Sequence, residues 1–214
     1  MSQLKSFTLS AARPLPVILL ADVSGSMGAD GKINALNNAL RDMVAAFKTG
    51  EDLRAEVHLS VISFGGVGAR HHIPLTPAAQ VTWHDAPASG GTPMGGAFEL
   101  ARQMIADREV ISGRAYTPTI VLMSDGQPND EWRAPLTALL ADERAKKAMR
   151  LALAIGDDAD EAVLKQFLDN PEARVLRASD ASQIHTFIRL VTMSVQARSR
   201  SATPNAAPKI EWDL

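Results

Sequence analysis

Short apolar segments of strand-like composition alternate with segments of helical periodicity along most of this chain, and this alternation restricts the possible folds more than any other feature. The first segment, Pro-Val-Ile-Leu-Leu-Ala at residues 16–21, is continuously apolar, as expected of a strand buried on both faces of a sheet. It precedes a helical pattern over residues 32–47, whose apolar stripe consists of Ile33, Leu36, Leu40, Met43, Val44 and Phe47. The alternation predicts a mainly parallel sheet with helices on both faces.

The remaining segments continue this pattern. Further strands are predicted at residues 57–64, 72–75, 119–124, 151–155 and 174–176. Further helices are predicted at about residues 93–106, 131–149, 160–168 and 181–197. The glycine-rich link at residues 65–68 is too short for a crossover, so the edge strand that follows it is expected to be antiparallel. The predicted fold is α/β, a doubly wound and mainly parallel six-stranded sheet with one antiparallel edge strand and helices on both faces.

Composition limits the class of protein. The 214 residues, 46% of them hydrophobic, are enough for one sizeable core. The 22 basic and 24 acidic residues leave a formal charge of −2, which favours neither nucleic acid nor an anionic membrane as a partner. The chain has no cysteine, which excludes disulfides, thiolate metal sites and cysteine nucleophiles. Because no apolar run is long enough to span a bilayer and no signal peptide is evident, we expect a cytoplasmic protein.

The sequence predicts one domain with a segment on either side. The domain is expected to cover residues 14–197, after an N-terminal segment at residues 1–13. Residues 198–214 are rich in serine, proline and alanine, and they are predicted to form a flexible tail.

The last residues of this tail allow two interpretations. They read Ile-Glu-Trp-Asp-Leu at residues 210–214 and are both apolar and acidic. In the first interpretation they are disordered or pack loosely on their own domain. In the second, Trp212 docks in a groove, in cis or on another molecule, while Glu211 or Asp213 approaches a metal ion.

Acidic and hydroxyl side chains follow two of the predicted strands. Asp22 comes directly after the first strand and Asp125 directly after the fourth. Ligands of doubly wound sheets bind outside the carboxyl ends of the strands, so the two carboxylates share one crevice if their strands are neighbours. About 5 Å apart, at an effective dielectric constant of about 20, they would repel by about 3 kcal/mol, which favours a cation there. The nearby side chains add only oxygen donors, those of Ser24, Ser26 and Thr92. This donor set suits Mg²⁺ or Mn²⁺ better than zinc or copper.

These five positions resemble, in order and spacing, the metal-ion-dependent adhesion site of von Willebrand factor A domains. The matching residues are Asp22-Val23-Ser24-Gly25-Ser26, Thr92 and Ser124-Asp125-Gly126, and the resemblance covers roughly residues 14–197. It implies that three hydroxyls hold the metal directly, whereas the two carboxylates act mainly through bound water. One octahedral position then remains for a glutamate or aspartate of a partner. The expected function is a metal-dependent protein–protein interaction module.

Within this family, the chain looks most like small bacterial proteins of the tellurium-resistance TerY type. The matching residues are Leu-Pro-Val at 15–17 and Asp-Gly-Gln-Pro-Asn-Asp-Glu-Trp at 125–132. The resemblance implies a scaffold or regulator in a stress or defence system, with a PP2C-type phosphatase and a serine/threonine-kinase-like protein as partners. Some relatives carry a cysteine-rich zinc segment. Because this chain has no cysteine, no function of that segment is expected here.

A magnesium-dependent phosphatase-like enzyme is the alternative function. Phosphatases of the haloacid dehalogenase type also place an aspartate after the first strand of a doubly wound fold, but they need a second acid two positions later. That position is Ser24 in this chain. The sequence also contains no Gly-x-Ser-x-Gly motif and no phosphate-binding loop of the Gly-x-x-x-x-Gly-Lys type. We therefore expect a binding protein and no catalysis.

Other conspicuous side chains have a structural interpretation. Asp130 and the acids at residues 157–161 are expected to cap helices, and Thr92 can cap the helix that begins at the following proline. The five histidines form no pair at helical spacing and are interpreted as structural. Trp83 and Trp132 are interpreted as packed aromatic residues, with a partner contact at the rim of the metal site as the alternative.

Overall fold

Six strands form one sheet in this computed structural model, which describes residues 12–49 and 55–206. The strands are β1 (Arg13–Asp22), β2 (Ala55–Gly65), β3 (Gly68–Pro77), β4 (Thr119–Ser124), β5 (Met149–Ile155) and β6 (Leu176–Ala178). Their order across the sheet is β3-β2-β1-β4-β5-β6, and all neighbours are parallel except β2 and β3. The predicted fold class is thus confirmed, including the antiparallel edge strand.

Five α-helices in the described part of the chain cover the two faces of the sheet. They are α1 (Lys32–Lys48), α2 (Met94–Ala106), α3 (Arg133–Ala141), α4 (Glu161–Leu168) and α5 (Ala181–Arg200), with short 3-10 turns at Gly25–Gly28, Ala78–Gln80 and Ala145–Lys147. Alternate residues of β1 point to opposite faces, so Val17 and Leu19 pack with α1 and α5, whereas Ile18 and Leu20 pack with α2 to α4. None of the described helices combines the length and the hydropathy that a membrane crossing requires.

The predicted helix over residues 131–149 is wrong in its second half. α3 ends at Ala141, where the Asp142 side chain accepts hydrogen bonds from the backbone N–H groups of Arg144 and Ala145 and starts a 3-10 turn. The chain then enters β5, in which Met149 pairs with Thr119. Sheet pairing therefore overrides the helical propensity of this lysine- and alanine-rich stretch.

The predicted domain boundary at residue 197 falls inside α5, which continues to Arg200. Arg198 is almost fully buried, and its guanidinium donates hydrogen bonds to Thr117 O, Pro204 O and the Thr119 hydroxyl. Burial lowers the pKa of Arg198 to about 10, so the side chain stays charged at neutral pH. These bonds attach residues 201–206 to the domain. Most of the predicted N-terminal segment at 1–13, namely residues 1–11, lies outside the described residues, as do the helix stop at Gly50 and the rest of the predicted tail at 207–214.

The sheet topology places the candidate site. From β1 the chain moves to β2 on one side, and from β4 it moves to β5 on the other, so strand order reverses between β1 and β4. These two central strands are parallel neighbours, with Ala21 paired to Met123. Asp22 and Asp125 therefore meet at one edge of the sheet, in the crevice where such folds bind ligands.

Candidate metal centre

Asp22 is fully buried at the end of β1, and both of its carboxylate oxygens already accept hydrogen bonds. Oδ1 accepts from Ser24 N at 2.8 Å, and Oδ2 accepts from the Ser124 hydroxyl at 2.5 Å. Burial raises the pKa of Asp22, an effect that the bonds from Ser124 and Ser24 oppose and the negative charge of Asp125 reinforces. The side chain of Asp22 thus orients the loop that follows β1.

The serine hydroxyls connect this loop to Asp125. The 3-10 turn at Gly25–Gly28 redirects the chain after Ser24, and the hydroxyl oxygens of Ser24 and Ser26 lie 3.0 Å apart. The Ser26 hydroxyl donates to Asp125 Oδ1 at 2.7 Å. Four of the five predicted site residues are therefore joined in one partly buried hydrogen-bond network at the end of β1 and β4.

Lys32 belongs to this network, although the sequence analysis missed it. Its ammonium group lies 3.0 Å from Asp125 Oδ2, with 17% of the Lys32 side chain and none of the Asp125 side chain exposed. The expected positive charge beside the two carboxylates is therefore supplied in part by the chain itself. The sequence contained one indication of this contact. Lys32 is the first residue of a helix, where its positive charge opposes the helix dipole, so an acidic partner nearby would be stabilising.

Thr92 is held at the site by residues that follow β4. Thr92 N donates to Asn129 Oδ1 at 3.0 Å, and Asn129 N donates to Thr92 O at 3.1 Å. The Asp130 carboxylate accepts one bond each from Gly95 N and Gly96 N, both at 3.0 Å, in the first turn of α2. Asp130 is thus a helix cap as predicted, but of α2 and not of the helix that follows it in sequence. The predicted capping of α2 by Thr92 is wrong, because α2 begins at Met94 with Pro93 at its N-cap position, and Met94 N donates to the backbone oxygen of Thr92 at 2.8 Å.

The hydroxyl group of Thr92 lies beside Gly126, on the same side as the hydroxyl group of Ser26. A Cβ atom built on Gly126 would lie 3.5 Å from Thr92 Oγ1 and 3.9 Å from Ser26 Oγ, so both hydroxyls face the same small volume next to Asp125. The side chains of Ser24, Ser26, Thr92, Asp22 and Asp125 contribute hydroxyl and carboxylate oxygens to this site. Within residues 12–49 and 55–206, no group of three His, Asp or Glu residues could hold an ion. The residues present fit a hard divalent cation held mainly by hydroxyls.

Glycines let three loops approach closely around this volume. Gly25 N donates to Gly90 O at 2.9 Å, Ser89 N to Val23 O at 2.8 Å, and Gly66 N to Ser89 O at 2.5 Å. Gly90 has a φ of 68°, and a Cβ atom there would lie 2.5 Å from Gly66 O. Only glycine fits this position, because both the left-handed backbone and the contact exclude a side chain. The loop that carries Thr92 is therefore fixed to the hairpin between β2 and β3.

The other predicted structural residues have the expected kind of role. Asp160 caps α4 by accepting bonds from Ala162 N and Val163 N. Trp132 is buried in the core on the face of the sheet that α2 to α4 cover. Trp83 is half-buried and packs against the core on the opposite face. The ring nitrogens of three histidines form hydrogen bonds within the protein, with Glu56 for His58, His84 O for His72 and Asp42 for His185.

Comparison with known sequences supports the family. A sequence model of the von Willebrand factor type A domain matches residues 17–127, which is more than half of the chain. The chain belongs to the von Willebrand factor type A domain family. Domains of this family commonly serve as metal-dependent interaction modules.

Individual relatives of this von Willebrand factor A domain are distant. The magnesium-chelatase 60 kDa subunit of Rhodobacter capsulatus is 30% identical over 145 residues, which are 65% of this chain and 24% of that protein. A von Willebrand factor type A structure from Catenulispora acidiphila has a TM-score of 0.67 at 21% identity, over 86% of this chain and 43% of that one.

A solved structure of a third protein contains zinc in its metal-ion-dependent adhesion site (MIDAS). The mussel byssus proximal thread matrix protein 1, with a zinc-occupied MIDAS motif, has a TM-score of 0.62 at 17% identity, over 87% of this chain and 48% of that one. The chain spans less than half the length of each of these proteins. At such identities the solved structures establish the fold.

Proposed function

We propose that this chain is a protein–protein interaction module in which a divalent cation captures an acidic side chain of a partner. The observation that carries the proposal is the meeting of Asp22, Ser24, Ser26, Thr92 and Asp125 at the switch point of the sheet. A cation held there would offer a coordination position to a carboxylate from outside.

The hydrogen bonds suggest a division of roles among these residues. Ser24, Ser26 and Thr92 would hold the cation directly, because the hydroxyls of Ser26 and Thr92 face the volume beside Gly126 and the Ser24 hydroxyl lies 3.0 Å from that of Ser26. Both oxygens of Asp22 already accept bonds, and Asp125 is bonded to Ser26 and Lys32, so these carboxylates would act mainly through bound water. Neutral hydroxyls donate little charge, which leaves the cation receptive to a glutamate or aspartate. The all-oxygen donor set favours Mg²⁺ or Mn²⁺, while the zinc in the byssus protein supports occupancy of such a site by a divalent ion.

We propose that the site is not catalytic. A phosphatase of the haloacid dehalogenase type needs a second acid two positions after its aspartate, and Ser24 stands at that position. The check is incubation of the Mn²⁺-loaded protein with a generic phosphoester. Turnover that Asp22→Ala abolishes would establish the phosphatase-like alternative instead.

The proposed biological setting is a cytoplasmic stress or defence system of the TerY type. By this resemblance the chain would act as a scaffold or regulator for a PP2C-type phosphatase and a serine/threonine-kinase-like protein. The segment at 125–132 that carries the resemblance also supplies Asn129 and Asp130, which position the Thr92 loop. The Rhodobacter relative is by its name a subunit of a larger enzyme, which supports a role within an assembly.

Titration with Mn²⁺ and capture of partners test the proposal together. Isothermal titration calorimetry is expected to show one Mn²⁺ bound by the wild-type chain and none by the Ser24→Ala/Ser26→Ala double variant. Ser112→Ala is the matched control, because Ser112 is exposed in the loop before β4, near the opposite end of the sheet. Pull-downs from the native host, with and without EDTA, should then recover partners only with wild type and control in the presence of metal. A wild-type chain that binds no divalent ion would refute the proposal.

A further inference from the structure

We infer that residues 207–214 of one copy of this chain bind the metal centre of a second copy. The inference rests on the proposed function, because it supplies the acidic ligand that this function requires. The segment reads Ala-Pro-Lys-Ile-Glu-Trp-Asp-Leu and directly follows the described residues. Its two carboxylates, Glu211 and Asp213, are the candidate ligands.

The segment begins at the end of the sheet opposite to the metal centre. Arg198 donates to Pro204 O at 2.8 Å, and the Asn205 side chain accepts from Thr117 N at 2.9 Å. Thr117 lies two residues before β4, whereas Asp125 directly follows it. Asn205 is therefore fixed near the amino end of β4, and the candidate metal site lies beyond its carboxyl end.

The segment is too short to reach the metal centre of its own copy. Thr117 and Asp125 are separated by about 26 Å if the intervening residues are extended. From Asn205, a fully extended chain covers at most about 22 Å to Glu211 and about 29 Å to Asp213. The direct line from Asn205 to the metal centre runs through the buried sheet. A path over the surface must go around a helix layer about 10 Å thick, which adds about 10 Å at each end and gives a path length of about 45 Å. The segment can therefore reach this metal centre only in a second copy of the chain.

A cavity between the loops that surround the metal centre suits a second carboxylate. The cavity has a volume of about 220 Å³, and its walls include Val23, Ser63, Val67, Arg70 and Ser89. Ser63 is 2% exposed, and its hydroxyl has no hydrogen-bond partner in the described part of the chain. Arg70 is exposed, faces the same side of the sheet as its pairing partner Ser63, and forms no ion pair with a described residue. Both side chains can donate hydrogen bonds to a carboxylate.

The spacing of the two acids lets one short segment present two carboxylates side by side. Glu211 and Asp213 are two residues apart, so in an extended segment their carboxylates lie on one side, about 7 Å from each other. One carboxylate would take the open position of the cation while the other pairs with Arg70. The contact joins two different surfaces, so copies associate head to tail and the assembly grows with concentration.

Sedimentation velocity of the full chain tests the inference, in Mn²⁺ and in EDTA. Wild type is expected to associate with increasing concentration in Mn²⁺ and to be monomeric in EDTA. The Glu211→Gln/Asp213→Asn variant should be monomeric in both, and Arg70→Gln should weaken the association at least fivefold. Glu172→Gln is the control, since Glu172 is an exposed acid that forms no ion pair among the described residues. An N-acetylated, C-amidated peptide of residues 207–214 should dissociate the wild-type assembly.

The outcomes separate this inference from the proposed function. Wild type that binds Mn²⁺ in the calorimeter but stays monomeric would overturn the inference and leave the proposed function intact. Association that survives the Glu211→Gln/Asp213→Asn change would overturn it as well, because the contact would then lie elsewhere. A chain that binds no Mn²⁺ would refute the proposed function, and the inference with it.

Discussion

Replacing Lys32 by methionine tests the electrostatic account of the site most directly. The ammonium of Lys32 lies 3.0 Å from a carboxylate oxygen of Asp125, whose side chain is fully buried. Methionine keeps most of the apolar stem and removes only the charge. Loss of one partner of a buried ion pair destabilises a protein by about 3–5 kcal/mol. We expect the lower value, about 3 kcal/mol, because Asp125 keeps its bond from Ser26 and Lys32 is partly exposed.

The same change should have the opposite effect on metal binding. A divalent ion and an ammonium group that share one carboxylate repel each other by several kcal/mol at an effective dielectric constant of about 20. Relief of only about 1.4 kcal/mol of this repulsion strengthens binding tenfold. Lys32→Met should therefore bind Mn²⁺ at least about tenfold more tightly than the wild-type chain.

Thermal melts and calorimetry measure both effects. For a domain of this size, about 3 kcal/mol corresponds to a fall in Tm of about 6–12 °C in EDTA. The difference should become smaller in saturating Mn²⁺, because tighter binding stabilises the variant more. Lys48→Met is the control, as Lys48 is exposed at the other end of α1. If Lys32→Met melts like wild type in EDTA and binds Mn²⁺ no more tightly, the ammonium does not neutralise Asp125 and the reasoning is wrong.

Three further predictions concern the supporting residues. Burial raises the pKa of Asp22, so the folded chain takes up this proton at a higher pH than the unfolded chain, and the fold gains stability as the pH falls through the raised pKa. Asp22→Asn should have a higher Tm than wild type at pH 7 in EDTA, and the difference in Tm should become smaller as the pH falls toward 5. A difference that grows as the pH falls would contradict this. Asp130→Ala should lower stability by about 1 kcal/mol and also weaken Mn²⁺ binding, whereas Asp160→Ala, an equivalent cap loss on α4, should lower only stability. Arg198→Leu should lower the unfolding free energy by about 3 kcal/mol in urea titrations without changing Mn²⁺ affinity, and Arg198→Lys should not restore it, since an ammonium cannot reproduce the planar set of bonds.

Local patterns were enough to predict the framework of the fold. Continuous apolar runs and one-sided helical stripes depend on the nearest few residues in the sequence, so the six strands and most helices could be located from them. The site residues could be proposed for a related reason. Asp22 and Asp125 each directly follow a buried strand, and the carboxyl ends of neighbouring parallel strands meet at one edge of the sheet.

What only the tertiary structure decided depends on contacts between residues far apart in the chain. Lys32 and Asp125 are 93 positions apart, Gly96 and Asp130 are 34 apart, and Arg198 and Thr119 are 79 apart. Sequence periodicity reports only on residues a few positions apart, so it cannot predict such pairs. For this reason the ion pair at the metal centre, the capping of α2 from another loop and the burial of Arg198 were not predicted. The early end of α3 has the same cause, because pairing of Met149 with Thr119 outweighs the propensity of the residues before it. The sequence alone thus determined which elements form and which oxygen donors can meet, while the tertiary contacts decided how their charges are balanced.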